Sequence, residues 1–395
     1  MPGPLEGLTV LDLTRVLSGP YCTMLLADMG ARVVKIEQPG GGDETRTWGP
    51  PFVGGESTYF LGINRNKESV TLDLKNDDGR AILERLLDRA DVLVENFRPG
   101  TLARLGLDAA TARATRPRLV YCSLSGFGQT GPRRAQAGYD AVIQAEGGLM
   151  SLTGEPDGTP LRSGVPIADL VTGLLAAQGV LLALYARERT GQGQQVDVSM
   201  FDGVVSLLSY HASAYLNAVS VPRRLGNRHP HVAPYDTFPA ADGDLFLAIG
   251  NDGQFQRFCA VASLEGLVSD PRFATNPARV VNQASLRDEM AAALRRQPRA
   301  YWVAALRDAG VPCGEVRGVP EVLADPQVLA RRMLEAVPHA TAGLVKVLGV
   351  PIALSDTPGS VRTAPPTIGQ HTDAVLRELG IDAGSIASLR ARKVI

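Results

Sequence analysis

Residues 8–37 read LTVLDLTRVLSGPYCTMLLADMGARVVKIE, and this stretch decides the fold class. LTVLDL (8–13) is a short apolar run of strand length. Gly19-Pro20 opens a helix, YCTMLLADMG, that closes at Gly30, and ARVVKIE (31–37) is the next strand. The alternation continues outward. SVTLDL (69–74) has the period-two pattern of a strand, and DDGRAILERLLDRA (77–90) is an amphipathic helix. DVLVEN (91–96), RLVYCSLS (118–125) and GQQVDVSMFD (193–202) supply further strands. Strands that alternate with helices predict an α/β fold whose parallel sheet is buried on both faces.

Beyond this region, HASAYLNAVSVPRRLGNRHPHVAP (211–234) is polar and rich in turn residues, and reads as a linker. A second, smaller α/β-patterned region follows, with strand DLFLAIG (244–250) and helices near 252–263, 285–295 and 299–309. The tail ends in two short helices, HTDAVLRELG and AGSIASLRARKVI. The expected organisation is a large domain over 1–210, a linker over 211–235, a small domain over 236–320 and a tail over 321–395. Residues 170–186 (LVTGLLAAQGVLLALYA) are uncharged but fall short of the roughly 20 residues a membrane-spanning helix needs. Asp169 and Arg187 flank them, and the expectation is a buried core helix.

The 395 residues are 45% hydrophobic and 21% charged, an ordinary globular balance. Forty basic against 41 acidic residues leave a net charge of −1, without the basic surplus of a nucleic-acid binder or a polybasic membrane anchor. Cys22, Cys122, Cys259 and Cys313 lie far apart, with no histidine at ligand spacing, so neither a disulfide framework nor a metal site is expected. MPGPLEGLTV lacks the basic and apolar segments of a signal peptide, and a reducing, cytoplasmic setting is expected.

Ligands of parallel α/β sheets sit beyond the carboxyl ends of the strands. There, Gly126-Phe-Gly128-Gln-Thr-Gly131 spells G-x-G-x-x-G, but Pro132-Arg133-Arg134 follows instead of the helix that would hold a pyrophosphate. The βαβ unit at 8–37 ends in an acid, Glu37, yet its loop is TRVLSGP, so a dinucleotide fingerprint is split between two units. Val94-Glu95-Asn96-Phe97-Arg98-Pro99-Gly100 reads either as a strand-ending turn or as a ligand loop offering an amide, an aromatic face and a guanidinium. Asp169, just before the apolar helix, reads as an N-cap or as a nucleophilic carboxylate. His229 and His231 flank Pro230 in the linker, where a solvated loop is the default and a carboxylate contact the alternative.

Several stretches together resemble the family III CoA-transferases, the group of formyl-CoA transferase, carnitine CoA-transferase and α-methylacyl-CoA racemase. The matching stretches are LDLTRVLSGPYCTMLLADMGARVVKIEQPGGGD, NRNKESVTLDLK, ADVLVENFRPGTLARLGL, SLSGFGQTGP, GYDAVIQAEGGLMSLTGEPDGTP, IADLVTG, RTGQGQQVDVSM and GQHTDAVLRELGI. The resemblance implies a Rossmann-like large domain, a smaller α/β domain and a C-terminal return to the first, in an interlocked homodimer. It implies CoA transfer from an acyl-CoA donor to a carboxylic acid, with Asp169 as nucleophile, coenzyme A as substrate and no permanently bound cofactor. By the same resemblance, CoA-contacting positions fall on Leu17, Ser18, Leu72, Asp73, Leu74, Lys75, Asn96, Phe97, Arg98, Arg104, Ala137, Gly138, Tyr139 and Asp140. Lys75, Arg98 and Arg104 supply cations for phosphates, while Asn96 and Tyr139 are expected near the thioester. Backbone N–H groups at Gly147-Gly148 are candidate oxyanion donors.

Some positions depart from the family pattern. Tyr139 stands where the racemase branch carries a histidine, and residues 225–255 lack the glycine-rich lid of the formyl-CoA branch. The chain is more similar to the branch using succinyl-CoA and dicarboxylic acids. Gln38 replaces an arginine common in relatives, which weakens one nucleotide contact. The alternatives are a racemase-like enzyme and an inactive acyl-CoA-binding protein.

Overall fold

In strand β1 (Thr9–Asp12), Val10 faces one side of the sheet and Leu11 the other, and its neighbours repeat this alternation. Six parallel strands result: β1, β2 (Arg32–Glu37), β3 (Lys67–Thr71), β4 (Val92–Glu95), β5 (Val120–Ser125) and β6 (Gln195–Ser199). Their spatial order is β3-β2-β1-β4-β5-β6, that of a doubly wound nucleotide-binding sheet. Helix α1 (Ser18–Asp28) covers one face through Cys22, Leu26 and Ala27. On the other face, α2 (Asp77–Leu87) packs Ile82, Leu83 and Leu86 beside Val375, Leu376, Ile386, Leu389 and Ile395 of the tail. Helices α3 (Ala109–Thr115) and α4 (Asp140–Glu146) follow β4 and β5.

The computed structural model describes residues 2–395. The sheet belongs to a unit made of the chain up to Leu149, Arg162–Ala212 and Pro326–Ile395; a second unit comprises Met150–Leu161 and Ser213–Asp325. The second unit has an antiparallel sheet of Tyr235–Ala240, Gly243–Ala248 and Cys313–Glu315. Phe238, Leu245 and Leu247 of that sheet share a core with Phe255, Phe258, Met290 and Trp302.

Several elements differ from the sequence reading. Strand β3 begins at Lys67 and ends at Thr71, not over 69–74, because Lys67 is an inward strand residue that its charge disguises. Past Thr71 the chain leaves the sheet, and the Asp73 N–H donates to the Val394 carbonyl (2.8 Å). The stretch read as a linker opens with a helix, Ser209–Ala218, which buries none of its residues and so shows no apolar stripe. The tail contains a hairpin, Leu334–His339 with Gly343–Leu348, that the sequence reading passed over. Helix α5 (Ile167–Thr190) is long and apolar enough to cross a membrane by composition. Its expected burial holds on one side only: Ala168, Gly173, Ala176, Val180 and Ala183 are inside, whereas Leu174, Leu181, Leu182 and Tyr185 form an exposed stripe.

A layer of fully buried charge runs from Asp12 at the carboxyl end of β1, across Lys35 in β2, to Lys67 at the start of β3. Asp12 accepts from Lys67 Nζ (3.0 Å), from the Thr23 hydroxyl (2.6 Å) and from the Thr14 N–H (2.9 Å). Lys67 gives its other protons to the Pro20 carbonyl and Asn64 Oδ1, both at 2.9 Å, so all three donors are used. Burial alone would raise the Asp12 carboxyl; Lys67, Lys35 and the two threonine hydroxyls outweigh it and hold the group well below the usual carboxylate range. Removing one partner leaves an uncompensated buried charge. Lys67→Met is therefore expected to lower stability by about 3–5 kcal/mol in urea unfolding, while exposed Lys346→Met shifts it by no more than about 0.5 kcal/mol. Comparable small effects from both would contradict this role.

Candidate active site

The loop between β1 and α1 lies at the switch point of the sheet, between β1 and β4. Lys35 Nζ donates to the Thr14 carbonyl (2.7 Å) and pairs with Asp43 (2.9 Å), whose carboxylate also accepts from the Val16 N–H (3.3 Å). These contacts hold Val16 at φ 68, a left-handed conformation that strains a β-branched residue by about 1–3 kcal/mol. Asn96 clamps the neighbouring residue: its Oδ1 accepts from the Arg15 N–H (2.9 Å) and its Nδ2 donates to the Arg15 carbonyl (2.7 Å). The Asn96 amide, expected near the thioester, is thus occupied by the loop backbone.

Ser18 is the first residue of α1, and its N–H and hydroxyl lie beside the Asp169 carboxylate and favour its charged form. Helix α5 approaches this closely because of Gly173, where a Cβ would lie 2.7 Å from the Ser18 carbonyl oxygen. Asp169 occupies the first turn of α5 but does not cap it; Pro166 is the N-cap residue and makes no side-chain cap bond. Asp140 takes that role from α4, its Oδ1 accepting from the N–H groups of Ala168 (2.8 Å) and Asp169 (3.4 Å). Gln144 steadies Asp140 through a 2.7 Å bond to its other oxygen. The capping expectation for Asp169 is therefore corrected, and its side chain is left for chemistry.

Two helix N-termini meet at this carboxylate, and both favour its ionised form. Burial and the adjacent Asp140 charge act the other way and push the Asp169 carboxyl up to about 6, although Ser18 draws it down. It stays mostly ionised at neutral pH. Its charge extends to Tyr59, whose hydroxyl is raised to about 12 by burial and then by Asp169.

Asp169 and Ser18 line a cavity of about 160 Å³ with Arg15, Asn96, Phe97 and Met200. Arg98, Ala137, Gly138 and Tyr139 complete its wall among the positions expected to contact CoA. A second cavity of about 230 Å³ is bordered by Leu72, Asp73, Leu74, Lys75 and Gln38, and shares Arg15 and Phe97 with the first. Leu17 is buried, Asp140 stands at the N-terminus of α5, and Arg104 donates to Thr101 Oγ1 (3.4 Å) on the second cavity's rim.

Gly126 proves to be a close-approach residue: a Cβ there would fall 2.7 Å from the Gly138 Cα, so two backbone strands cross in contact. No helix intervenes before α4, in agreement with the broken dinucleotide pattern. Gly147 is not an oxyanion donor, because its N–H is given to the Ile143 carbonyl (2.8 Å) at the end of α4. Glu95 escaped the sequence reading. It is buried, accepts from the Phe97 N–H (2.9 Å) and the Ser123 hydroxyl, and is raised to about 7 by that burial. His229 and His231 lie in the second unit, where the His231 N–H donates to His229 Nδ1 (3.1 Å).

A family model described as CoA-transferase family III matches residues 5–372. The chain is 41% identical to the succinate–glutarate CoA-transferase of Agrobacterium fabrum, covering 95% of this chain and 96% of that one. It is 44% identical to the acetyl-CoA:oxalate CoA-transferase of Acetobacter aceti over 95% of this chain and 96% of the relative. A crystal structure of a CaiB/BaiF family protein from Brucella suis superposes with a TM-score of 0.87 at 42% identity, over 96% of this chain and all of the other.

The site geometry has a direct spectroscopic check. Carbon-detected NMR titration is expected to place the Asp169 carboxyl near pH 6. Ser18→Ala removes a hydroxyl that favours the ionised form and moves that midpoint upward. A midpoint near 4, or a downward shift in the variant, contradicts the geometry described.

Proposed function

The chain belongs to CoA-transferase family III, and we propose that it carries CoA from succinyl-CoA or a similar donor to a dicarboxylic acid through covalent intermediates on Asp169. It is an enzyme that moves CoA between an acyl-CoA and a carboxylic acid; the choice of acids and the covalent route are the proposed part. The observation that carries the covalent route is the release of Asp169 from capping, with its carboxylate beside Ser18 at the cavity wall.

In this route, the Asp169 carboxylate attacks the thioester carbonyl, breaking the C–S bond and giving a mixed acyl–aspartyl anhydride and CoA thiolate. The thiolate attacks the aspartyl carbonyl, forming an aspartyl-CoA thioester and releasing the donor acid. The acceptor carboxylate attacks that thioester, forming a new anhydride and expelling thiolate. The thiolate then takes the acceptor acyl group, and Asp169 returns as carboxylate. No proton is consumed, and thioester activation is conserved at every step as long as water stays away from the anhydride. A carboxyl group titrating near 6 suits the task, being ionised at neutral pH yet more basic than an ordinary aspartate.

The CoA nucleotide is assigned to the 230 Å³ cavity beside Lys75, and the reacting acyl group to the 160 Å³ cavity beside Asp169. Racemisation is the weaker reading, since it needs an acid/base pair across an α-carbon and Tyr139 stands at the cavity wall in place of a histidine. A homodimer is part of the same proposal. The exposed stripe of Leu174, Leu181, Leu182 and Tyr185 on α5 offers an apolar face for a second copy to cover.

Asp169→Ala is expected to abolish transfer while CoA binding and fold persist, and residual transfer above about a tenth of wild type overturns the assignment. Incubation with acyl-CoA alone should leave an adduct that hydroxylamine converts to a hydroxamate at position 169. Peptide mass mapping that finds this position unmodified during turnover refutes the covalent route. For the assembly, sedimentation at high dilution should return a dimer; a folded monomer there counts against it.

A further inference from the structure

We propose that Arg15 is the specificity residue of the reaction, binding the second, non-reacting carboxylate of the dicarboxylic acid. This rests on the dicarboxylate reading above and names the group that enforces it. Inside a cavity of about 160 Å³, a free carboxylate next to an ionised Asp169 is strongly disfavoured unless a cation meets it. Two cations line that cavity, Arg15 and Arg98, and neither guanidinium has an ion-pair partner among the described residues.

Arg15 is the better placed of the two. It lies on the same loop as Ser18, which stands beside the nucleophile, so its reach is tied to the reacting atoms. Asn96 bonds both its N–H and its carbonyl, and the adjoining Val16 is held in a left-handed conformation by Asp43. The backbone is therefore fixed while the guanidinium is left uncommitted, lying over the Phe97 ring at 5.5 Å from its centre. Arg15 and Phe97 border both cavities, so a carboxylate bound to this guanidinium lies where the acyl cavity meets the CoA path. Arg98 lines the same cavity, but it is not on the loop that leads into Ser18, and no side-chain amide bonds its backbone on both sides as Asn96 does for Arg15. A guanidinium with an unused planar fork matches a carboxylate with two parallel hydrogen bonds. The same cation gives nothing to an acid that ends in a methyl group.

The test uses purified full-length protein with acetyl-CoA as donor, which brings no second carboxylate. Glutarate and valerate, of equal carbon number, are compared as acceptors in wild type, Arg15→Gln, Arg15→Lys and Arg98→Gln. Wild type should favour glutarate, and Arg15→Gln should reduce the glutarate-to-valerate ratio of kcat/KM by about 10- to 100-fold, mainly through the KM for glutarate. Arg15→Lys should keep part of the preference, because charge remains and the fork is lost. Equal losses with both acids in Arg15→Gln, or a higher KM for acetyl-CoA with the ratio unchanged, would show Arg15 acting on CoA and overturn the proposal. A collapse of the ratio in Arg98→Gln alone transfers the role to Arg98 and overturns it too. Failure of the underlying reading appears separately, in wild type: no transfer to either acid, or no preference for glutarate.

Discussion

The ion pair between Asp12 and Lys67, joined by Lys35 and Asp43, is the constraint on which the site depends. Four charges with no exposure would be unfavourable singly, and buried pairs of this kind contribute little net stability over apolar residues of equal volume. Their effect here is geometric. Lysine donors end on the Thr14 and Pro20 carbonyls, at either side of the loop that precedes α1, and Asp43 takes the Val16 N–H. An apolar layer in the same place would leave the Thr14 carbonyl and the Val16 N–H unpaired and the loop free to relax from its strained turn. The position of Ser18, and with it the state of Asp169, follows from this layer.

The α/β class was legible because strands apolar on both faces read as short continuous apolar runs between helical patterns, as with Val92, Leu93 and Val94. It failed where an inward residue is charged. Lys67 fell outside the strand read at 69–74, and Lys35 gave no sign that it serves a neighbouring loop. Helix Ser209–Ala218 was missed for a related reason, since with no buried side it carries no periodic signal. Helix α5 misled in the opposite direction: its hydrophobicity was read as burial, though half of its circumference is open.

At the site, sequence reasoning singled out Asp169 because it opens the apolar helix, and the surrounding loops because they follow strands. It did not find what Asp140, Asn96 and Glu95 do. Each acts on backbone N–H or carbonyl groups far away in the chain or across a turn, and backbone partners leave no trace in residue spacing. The glycines of the apparent dinucleotide motif illustrate the converse. They form a pattern at Gly126 and Gly128, yet the requirement at Gly126 comes from contact with Gly138, outside the pattern altogether.

One packing arrangement bears on how the chain is made. The second face of the sheet is closed by Val375, Leu376, Ile386, Leu389 and Ile395, and the Val394 carbonyl fixes the start of the Leu72–Lys75 segment. All six strands emerge from the ribosome well before those residues do. At about 5–20 residues per second, the apolar face carrying Leu11, Leu93 and Tyr121 waits on the order of ten seconds or more for its cover. Through that interval the face is covered only in part, by α2 and α3, and the first unit cannot close until the third of its separate chain segments has been made.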